Sequence, residues 1–259
     1  MQTPSTIPNS DAYNWIIAPA GRCALAVGDG ARVGALLHRA IIALANQGPL
    51  LNAALHITKS AGRDNEAIQR LLAEQPTLEA WAKELLDGDL HQFHTSGIVF
   101  LWASLEVAVE DTAVLILLRD PSTIRTLAEL GLKLPAKLST PLTEVDARRI
   151  FSRFERLGPG SRTVSEAYCQ MLETLGLSLA VDQEVHDKLT ELNYVRNCIL
   201  HRGGVVDDRV TREAPKLGVA PGDALHIGQS SYLDYYDAVG KFAVALINAA
   251  IKSRHVRTK

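Results

Sequence analysis

The stretch Gly97–Leu118, GIVFLWASLEVAVEDTAVLILL, is apolar on nearly every face of a helix. A helix that is hydrophobic all round belongs in the interior of a protein or in a membrane. Glu106, Glu110 and Asp111 lie in the middle of this stretch, where a bilayer would make their charges costly. The stretch therefore predicts the buried central helix of a bundle, over about residues 91–119, and no membrane association.

Further helical segments surround this central one. Proline and glycine separate them, and a chain with 47% hydrophobic but only 5% aromatic residues favours helix over strand. The patterns predict helices near 30–46, 49–59, 64–74, 77–87, 122–130, 143–157, 163–175, 182–202 and 231–253.

Local signals mark where some of these helices begin and end. Pro76 followed by Thr77 predicts a helix start with Thr77 as its cap, and Thr143 followed by Asp146 predicts another start. Gly203-Gly204 predicts the end of the helix at 182–202.

The overall prediction is an all-α fold. We find no alternation of strand and helix patterns and no internal repeat. Residues 205–230 contain proline and glycine and lack a helical pattern. They predict a loop or a small hairpin before the last helix. A soft boundary near residue 88 divides an N-terminal helical region, 1–90, from a helical domain, 91–259.

Composition narrows the functional classes. The net charge of −2 is unlike that of a strongly basic protein that coats nucleic acid, so any contact with RNA has to be local. The chain has three cysteines, Cys23, Cys169 and Cys198, an odd number, and their spacing is not that of metal ligands. They are expected to be small buried thiols in a reducing cytoplasm. Residues 1–10 are polar and contain proline, unlike a signal peptide. We therefore expect a cytoplasmic protein.

The residues best suited to catalysis lie in the segment NYVRNCILHRGG, residues 193–204. Asn193, Asn197 and His201 follow one another at intervals of four residues, which places neighbours in this series on one helix face. Arg196 lies beside that face. Asn193, Arg196, Asn197 and His201 thus form a polar ridge on a helix whose other sides carry apolar residues suited to a core. Such a ridge indicates a functional role.

This ridge suits the cleavage of RNA. His201 is a histidine, the residue type that most often moves a proton near neutral pH, and the planar guanidinium of Arg196 binds phosphate oxygens. Asn197 would hold the ring of His201 or a phosphate oxygen. The nucleophile would be the ribose 2′-OH, which DNA lacks, and the reaction requires neither a metal nor a cofactor.

A single chain supplies one such histidine, whereas concerted acid and base catalysis needs two groups. A two-fold dimer that joins two of these helix ends would supply both. We therefore expect a homodimer with a composite active site.

The spacing of Arg and His alone is a weak signal. About 1.7 matches are expected by chance in a chain of this composition, and Arg32 with His38 is a second match. Asn directly after the Arg lowers the expected number to about 0.05. His201 also has an ordinary structural explanation, since a helix C-terminus favours a cation.

Arg196-Asn197-x-x-x-His201, late in a helical bundle and followed by Gly and a loop, resembles the motif of the HEPN superfamily (higher eukaryotes and prokaryotes nucleotide-binding). The resemblance covers about residues 91–254. It implies a helical domain built around four or five helices. Many members are metal-independent ribonucleases of toxin–antitoxin, abortive-infection and CRISPR systems with the Arg and His in a site across a dimer, and others are inactive binding modules.

Two functional hypotheses follow. The first is an endoribonuclease with a toxin–antitoxin or anti-phage role, with RNA as substrate and an antitoxin protein as partner. The catalytic residues would be Arg196, Asn197 and His201, and the N-terminal helices would recognise substrate or an inhibitor. The alternative is a non-catalytic module that binds a nucleotide, RNA or a partner protein, which the near-neutral charge favours.

Glu106 is a supporting candidate, together with Asn193. A carboxylate at Glu106 could pair with Arg196 and orient it, or could lie on an exposed edge of the bundle. Asp111 crowds Glu110, which makes Glu106 the better candidate of the two.

Other polar and aromatic residues have simpler explanations. His91 and His94 have the spacing of metal ligands, but further ligands are lacking and a polar helix start is the better interpretation. Tyr232, Tyr235 and Tyr236 could stack on bases, although packing is favoured.

Overall fold

A computed structural model of the protein describes residues 11–62, 66–120, 122–129, 131–135, 137–156 and 163–257. The lead at residues 1–10 lies outside this range. Within the described ranges the chain is helical, without a β-strand, as the sequence predicted. The helices are α1 (Asp11–Ala45), α2 (Gly48–Ser60), α3 (Glu66–Asp87), α4 (His91–Arg119), α5 (Ser122–Glu129), α6 (Glu144–Arg156), α7 (Val164–Thr174), α8 (Gln183–Arg202), α9 (Asp208–Glu213), α10 (Gln229–Lys252) and α11 (Arg254–Arg257).

The first helix begins earlier than the sequence predicted. α1 passes through Pro19 and several glycines, which argued against a helix before residue 30. Ile16, Ala20 and Cys23 lie along one side of this helix and are buried. Their burial outweighs the low helix propensity of the residues between them, because tertiary packing routinely overrides propensity.

The predicted helix start at Pro76 is also wrong. α3 runs through Pro76 without a break, and Thr77 is not a cap. A proline inside a helix costs about 3 kcal/mol, so packing has to hold the helix together there. Gly48 of α2 lies close to α3 at this point, since a Cβ at Gly48 would be 2.8 Å from Nε2 of Gln75.

Several local signals were correct. The Oγ1 atom of Thr143 donates to Asp146 at 2.8 Å, before and within the first turn of α6. The helix predicted at 163–175 is α7, and it begins at Val164 after a capping box formed by Thr163 and Glu166. Gly203 adopts a left-handed φ of 60° and ends α8, as the glycine pair predicted.

The segment before α10 contains a short helix instead of a hairpin. Val205 and Ala224 form an isolated antiparallel bridge, and no strand extends from it in the described chain. Asp207 caps α9 between them by accepting from the backbone N–H of Val210 at 3.0 Å. This local side-chain acceptor favours a helical turn over a strand ladder.

The chain folds into two compact units, which we describe separately. The large unit contains the described residues of Met1–Gly28, Ile98–Leu225 and Asp234–Lys259, and the small unit contains those of Asp29–Gly97 and His226–Leu233. This division differs from the predicted boundary at residue 90. α1, α4 and α10 each contribute residues to both units, so no single point in the chain separates them.

α4 supplies much of the core of the large unit. Its buried side chains include Leu101, Trp102, Leu105, Val109, Ala113, Ile116 and Leu117. α10 also contributes to this core through Val239, Phe242, Ala243, Leu246 and Ala250. α4 is not buried on every face, however, because Phe100 and Val107 are 54% and 52% exposed.

The small unit has a core of its own. Ile41 and Ala45 of α1, Ala82 of α3 and Leu90 form its buried cluster, against which Phe93 packs. Taken singly, none of the described helices has the length and apolar character needed to cross a membrane. Two consecutive helical segments, Trp15–Ala45 and Gly48–Ser60, are long and apolar enough when taken together, and they are bent by 57° relative to each other.

Candidate functional site

The guanidinium of Arg196 on α8 is held from two sides. Its Nη1 atom donates to Oδ1 of Asn197 at 2.9 Å, and Nη2 lies 3.5 Å from Oε2 of Glu106 on α4. The side chain of Arg196 is 24% exposed, and its buried Nε has no hydrogen-bond partner among the described residues. Arg196 is thus a positioned cation whose donors are incompletely used, which suits it to bind an anion.

Asn197 is engaged by its neighbours on the same helix. While Oδ1 of Asn197 accepts from Arg196, its Nδ2 donates to Oδ1 of Asn193 at 3.3 Å. The bond between Asn193 and Asn197 reflects their i, i+4 spacing. The polar atoms of the Asn197 amide thus bond to Arg196 and Asn193, and no hydrogen bond joins Asn197 to His201 among the described residues.

Glu106 lies close to Arg196, whereas the other acidic residues of the same helix serve a different arginine. Glu110 and Asp111 accept from Arg148 on α6 at 2.7 and 3.0 Å. These contacts leave Glu106 as the carboxylate of α4 that faces α8. Its side chain is 39% exposed, so water weakens the pairing with Arg196.

His201 lies in the last turn of α8 and is exposed. It makes no hydrogen bond or ion pair with any residue that the structure describes. Arg202, which follows it, pairs with Asp207 through Nε at 2.9 Å. Leu200, which precedes it, is an exposed apolar residue. The imidazole is therefore free to meet a substrate or a second molecule.

The geometry of α8 separates Arg196 from His201. Five residues of α-helix correspond to about 7.5 Å along the axis and about 140° around it. One copy of α8 therefore does not direct both side chains toward one point. The structure brings together Asn193, Arg196, Asn197 and Glu106, and it leaves His201 outside this group.

Tyr168 of α7 is a neighbour of the site that sequence reasoning missed. It is buried, and burial raises the pKa of its hydroxyl. The charge of Glu106 raises this pKa further, and the charge of Arg196 lowers it, so both lie within electrostatic range. No sequence signal identified Tyr168, because its position depends on how α7 packs.

The histidines of α4 act in packing. His94 is buried, and its Nδ1 lies 3.0 Å from the carbonyl oxygen of Ile227, while His91 Nδ1 accepts from the N–H of Ile227 at 2.9 Å. In the described part of the chain, no group of three or more His, Cys, Asp or Glu side chains is placed to hold a metal.

The tyrosines of α10 and the cysteines also belong to the packed interior. Tyr232, Tyr235 and Tyr236 are buried, so they are not available to stack on bases. Burial raises the pKa of Cys23 and of Cys169 to about 11, which keeps both thiols protonated and unreactive near neutral pH.

No protein-family model, curated protein or solved structure matches this chain. The functional interpretation therefore rests on the geometry of α8 and α4.

Proposed function

We propose that this chain is a metal-independent endoribonuclease of the HEPN type, with a role in a toxin–antitoxin or anti-phage system and an antitoxin protein as partner. The observation that carries the proposal is the placement of Arg196. Its guanidinium is oriented by Asn197 and Glu106 but retains donor capacity for a phosphate. A surface arginine without such neighbours would lose more side-chain entropy on binding an anion.

In the proposed reaction, a general base removes the proton of a ribose 2′-OH, and the oxygen attacks the adjacent phosphorus. The bond from phosphorus to the 5′-oxygen breaks, and an acid protonates that leaving oxygen. The products are a 2′,3′-cyclic phosphate and a 5′-hydroxyl. His201 moves the proton and Arg196 stabilises charge on the phosphoryl oxygens. Asn197 acts through Arg196 as a positioning residue, with Asn193 behind it.

A homodimer is part of the proposal. Arg196 and His201 of one α8 diverge by about 140° around the helix axis, so a cleft containing both needs residues from two copies. The neighbourhood of His201 supports this arrangement, because Leu200 and Val205 are 47% and 49% exposed. A second copy would remove this apolar surface from water.

A non-catalytic binding module is the second candidate. One observation favours it: His201 has no contact with Arg196, Asn197 or Glu106, and residues of a single active site are usually in contact. In that case Arg196 would hold a phosphate of a nucleotide or RNA without cleaving it.

The test is cleavage of RNA in the presence of a chelator. The purified protein is incubated with total RNA and EDTA, and the new ends are mapped. We expect 2′,3′-cyclic phosphate ends, and a loss of about 100-fold or more in rate for His201→Ala and Arg196→Ala. His56→Ala is the matched control, because His56 is an exposed histidine of α2.

The outcomes separate the two candidates. Cleavage by wild type and by His56→Ala that disappears in His201→Ala supports the ribonuclease. A folded dimer that cleaves none of several RNA classes contradicts it, and RNA retention that depends on Arg196 then favours the binding module.

A further inference from the structure

A second polar site lies in the large unit and shares no residue with the site around Arg196. It is a cavity of about 450 Å³, within the size range of small-molecule sites. Its walls come from the N-terminal part of α1, the end of α4, the start of α5 and the C-terminal α11, through Trp15, Arg119, Asp120, Ser122, Arg254 and His255.

Arg119 lies over the ring of Trp15 at the edge of this cavity. Its guanidinium lies 4.7 Å from the ring centroid of Trp15, a cation–π contact that positions the cation without using its N–H donors. Arg119 forms no hydrogen bond or ion pair with any described residue. Its donors are therefore available to a ligand.

Arg254 is the second cation of the cavity, and it is only loosely paired. Its Nη2 lies 3.7 Å from Asp120, which is too long for a hydrogen bond, and its side chain is 57% exposed. Asp120 is shared among several groups, since its Oδ1 accepts from the backbone N–H and the hydroxyl of Ser122 at the start of α5 and its Oδ2 lies 3.6 Å from Nδ1 of His255. The carboxylate thus offsets the two arginines only in part.

His255 completes the lining as a structural residue. Its side chain is 3% exposed, and its Nε2 donates to the carbonyl oxygen of Leu175 at 2.7 Å. This bond anchors the turn that carries Arg254 to the end of α7. The two guanidiniums are therefore attached to fixed elements, which lowers the entropic cost of ligand binding.

We propose that this cavity binds a small phosphorylated molecule of nucleotide size, with Arg119 and Arg254 donating to its phosphate oxygens. Guanidinium groups match phosphate geometry through paired N–H donors. Two incompletely paired arginines against one carboxylate also give the cavity an excess of positive charge. This binding site is independent of RNA cleavage at Arg196 and His201.

Isothermal titration of the full chain with inorganic phosphate, AMP and ATP tests the proposal. We expect AMP or ATP to bind more tightly than inorganic phosphate, and binding to be weakened by about tenfold or more in the double variant Arg119→Gln/Arg254→Gln. Arg70→Gln is the matched control, because Arg70 is an exposed arginine of α3 whose partner among the described side chains is Glu66, at 3.5 Å. A preference for AMP or ATP supports the proposal, whereas affinity for inorganic phosphate alone would contradict a ligand of nucleotide size.

Asp120→Asn provides a second arm. The amide oxygen retains the acceptor for Ser122, so α5 keeps its cap, but the negative charge of the cavity is removed. Anion affinity should therefore rise. Failure of wild type to bind any of the three ligands at millimolar concentration would overturn the proposal, as would binding that the double variant leaves unchanged. His201→Ala should bind like wild type, which keeps this result separate from that of the ribonuclease test.

Discussion

Arg196 is held by two residues that reach it in different ways. Asn197 is adjacent in sequence, so this contact follows from the local helix. Glu106 lies 90 positions earlier and reaches Arg196 because α4 and α8 belong to the same core. Asn197 could therefore be identified from the sequence as a partner of Arg196. The sequence left both Glu106 and Glu110 as candidate acidic partners, and in the structure Arg148 binds Glu110.

This difference predicts the effect of Glu106→Gln. The substitution keeps the shape of the side chain but removes the charge that faces Arg196. We expect the rate of RNA cleavage to fall about twofold to fivefold, since a partly exposed ion pair contributes about 1 kcal/mol or less. Glu110→Gln is the control on the same helix and should cleave like wild type. An equal loss in both variants would contradict a specific role for Glu106.

A buried polar contact between α10 and α8 should contribute more to stability. The hydroxyl of Tyr235 donates to Oε1 of Glu191 at 2.8 Å, and Lys188 donates to the same oxygen at 2.9 Å. We expect Tyr235→Phe to lower the free energy of unfolding by about 1–3 kcal/mol, because the carboxylate loses a buried donor. Urea denaturation measures the change.

Tyr194→Phe makes the same chemical change at a half-buried position on α8. The Tyr194 hydroxyl makes no hydrogen bond with a described residue, and its ring lies 5.3 Å from Arg209 in a contact that phenylalanine can keep. We expect this control to stay within about 0.5 kcal/mol of wild type. A comparable loss in both variants would show that the bond to Glu191 is not the cause.

At the scale of elements, two helical glycines predict opposite effects of alanine. A Cβ at Gly97 of α4 would lie 2.6 Å from Cε2 of Tyr232, whose ring is buried, whereas a Cβ at Gly28 of α1 would have no neighbour within 4 Å. We expect Gly97→Ala to destabilise by about 1–3 kcal/mol and Gly28→Ala to stabilise by about 0.5–1 kcal/mol. Thermal unfolding of both variants checks the sign, and stabilisation by Gly97→Ala would show that Tyr232 can move aside.

The connection into α10 should be sensitive to acid. His91 and His94 hold the N–H and the carbonyl of Ile227, and Oδ2 of Asp89 accepts from the N–H of Gln229. Burial lowers the pKa of His91 and of His94, and His226 lowers both further. Both rings are therefore neutral in the folded protein at pH 7, as an Nδ1 acceptor at His91 requires.

The sign of the pH effect follows from these shifts. A lowered folded-state pKa means that the unfolded chain binds protons more readily than the folded chain below the ordinary value of 6.5. The stabilising contribution is complete above that pH and is lost as the pH falls below it. Melting temperatures between pH 7.5 and pH 5 should thus drop less in His91→Asn than in wild type, because the Asn oxygen can accept without titrating.

His56→Asn is the control for this experiment, since His56 is exposed on α2. Its melting temperature should change with pH as wild type does. If His91→Asn follows the same curve, the contact with Ile227 does not account for any acid sensitivity.

At the scale of the whole molecule, the proposed active site requires two copies of the chain. We expect a dimer by light scattering, and we expect Leu200→Asp to shift it toward monomer and to abolish cleavage, because a charge would have to be buried at the interface. Val145→Asp places the same charge on the exposed face of α6, where Val145 is 59% exposed, and should remain dimeric. Full cleavage by a monomer would contradict the composite site.

The helices with strong periodic patterns were the most predictable part of the fold. α8 ends at the predicted glycines, and α10 spans Gln229–Lys252 where a helix near 231–253 was predicted, since capping and periodicity act within a few residues. The early start of α1 was missed because its buried side chains stabilise the helix against its local propensity. The passage of α3 through Pro76 was missed because a proline marks a probable helix boundary and not a certain one.

The sequence by itself determined the all-α class and the order Arg196, Asn197, His201 on one helix, because helix periodicity is a local property. Tertiary structure alone decided that Glu106 faces Arg196, that Tyr168 lies near both, and that the Trp15 cavity collects residues from four helices. Such groupings depend on packing between segments far apart in the chain, and no local pattern records which side chains that packing brings together.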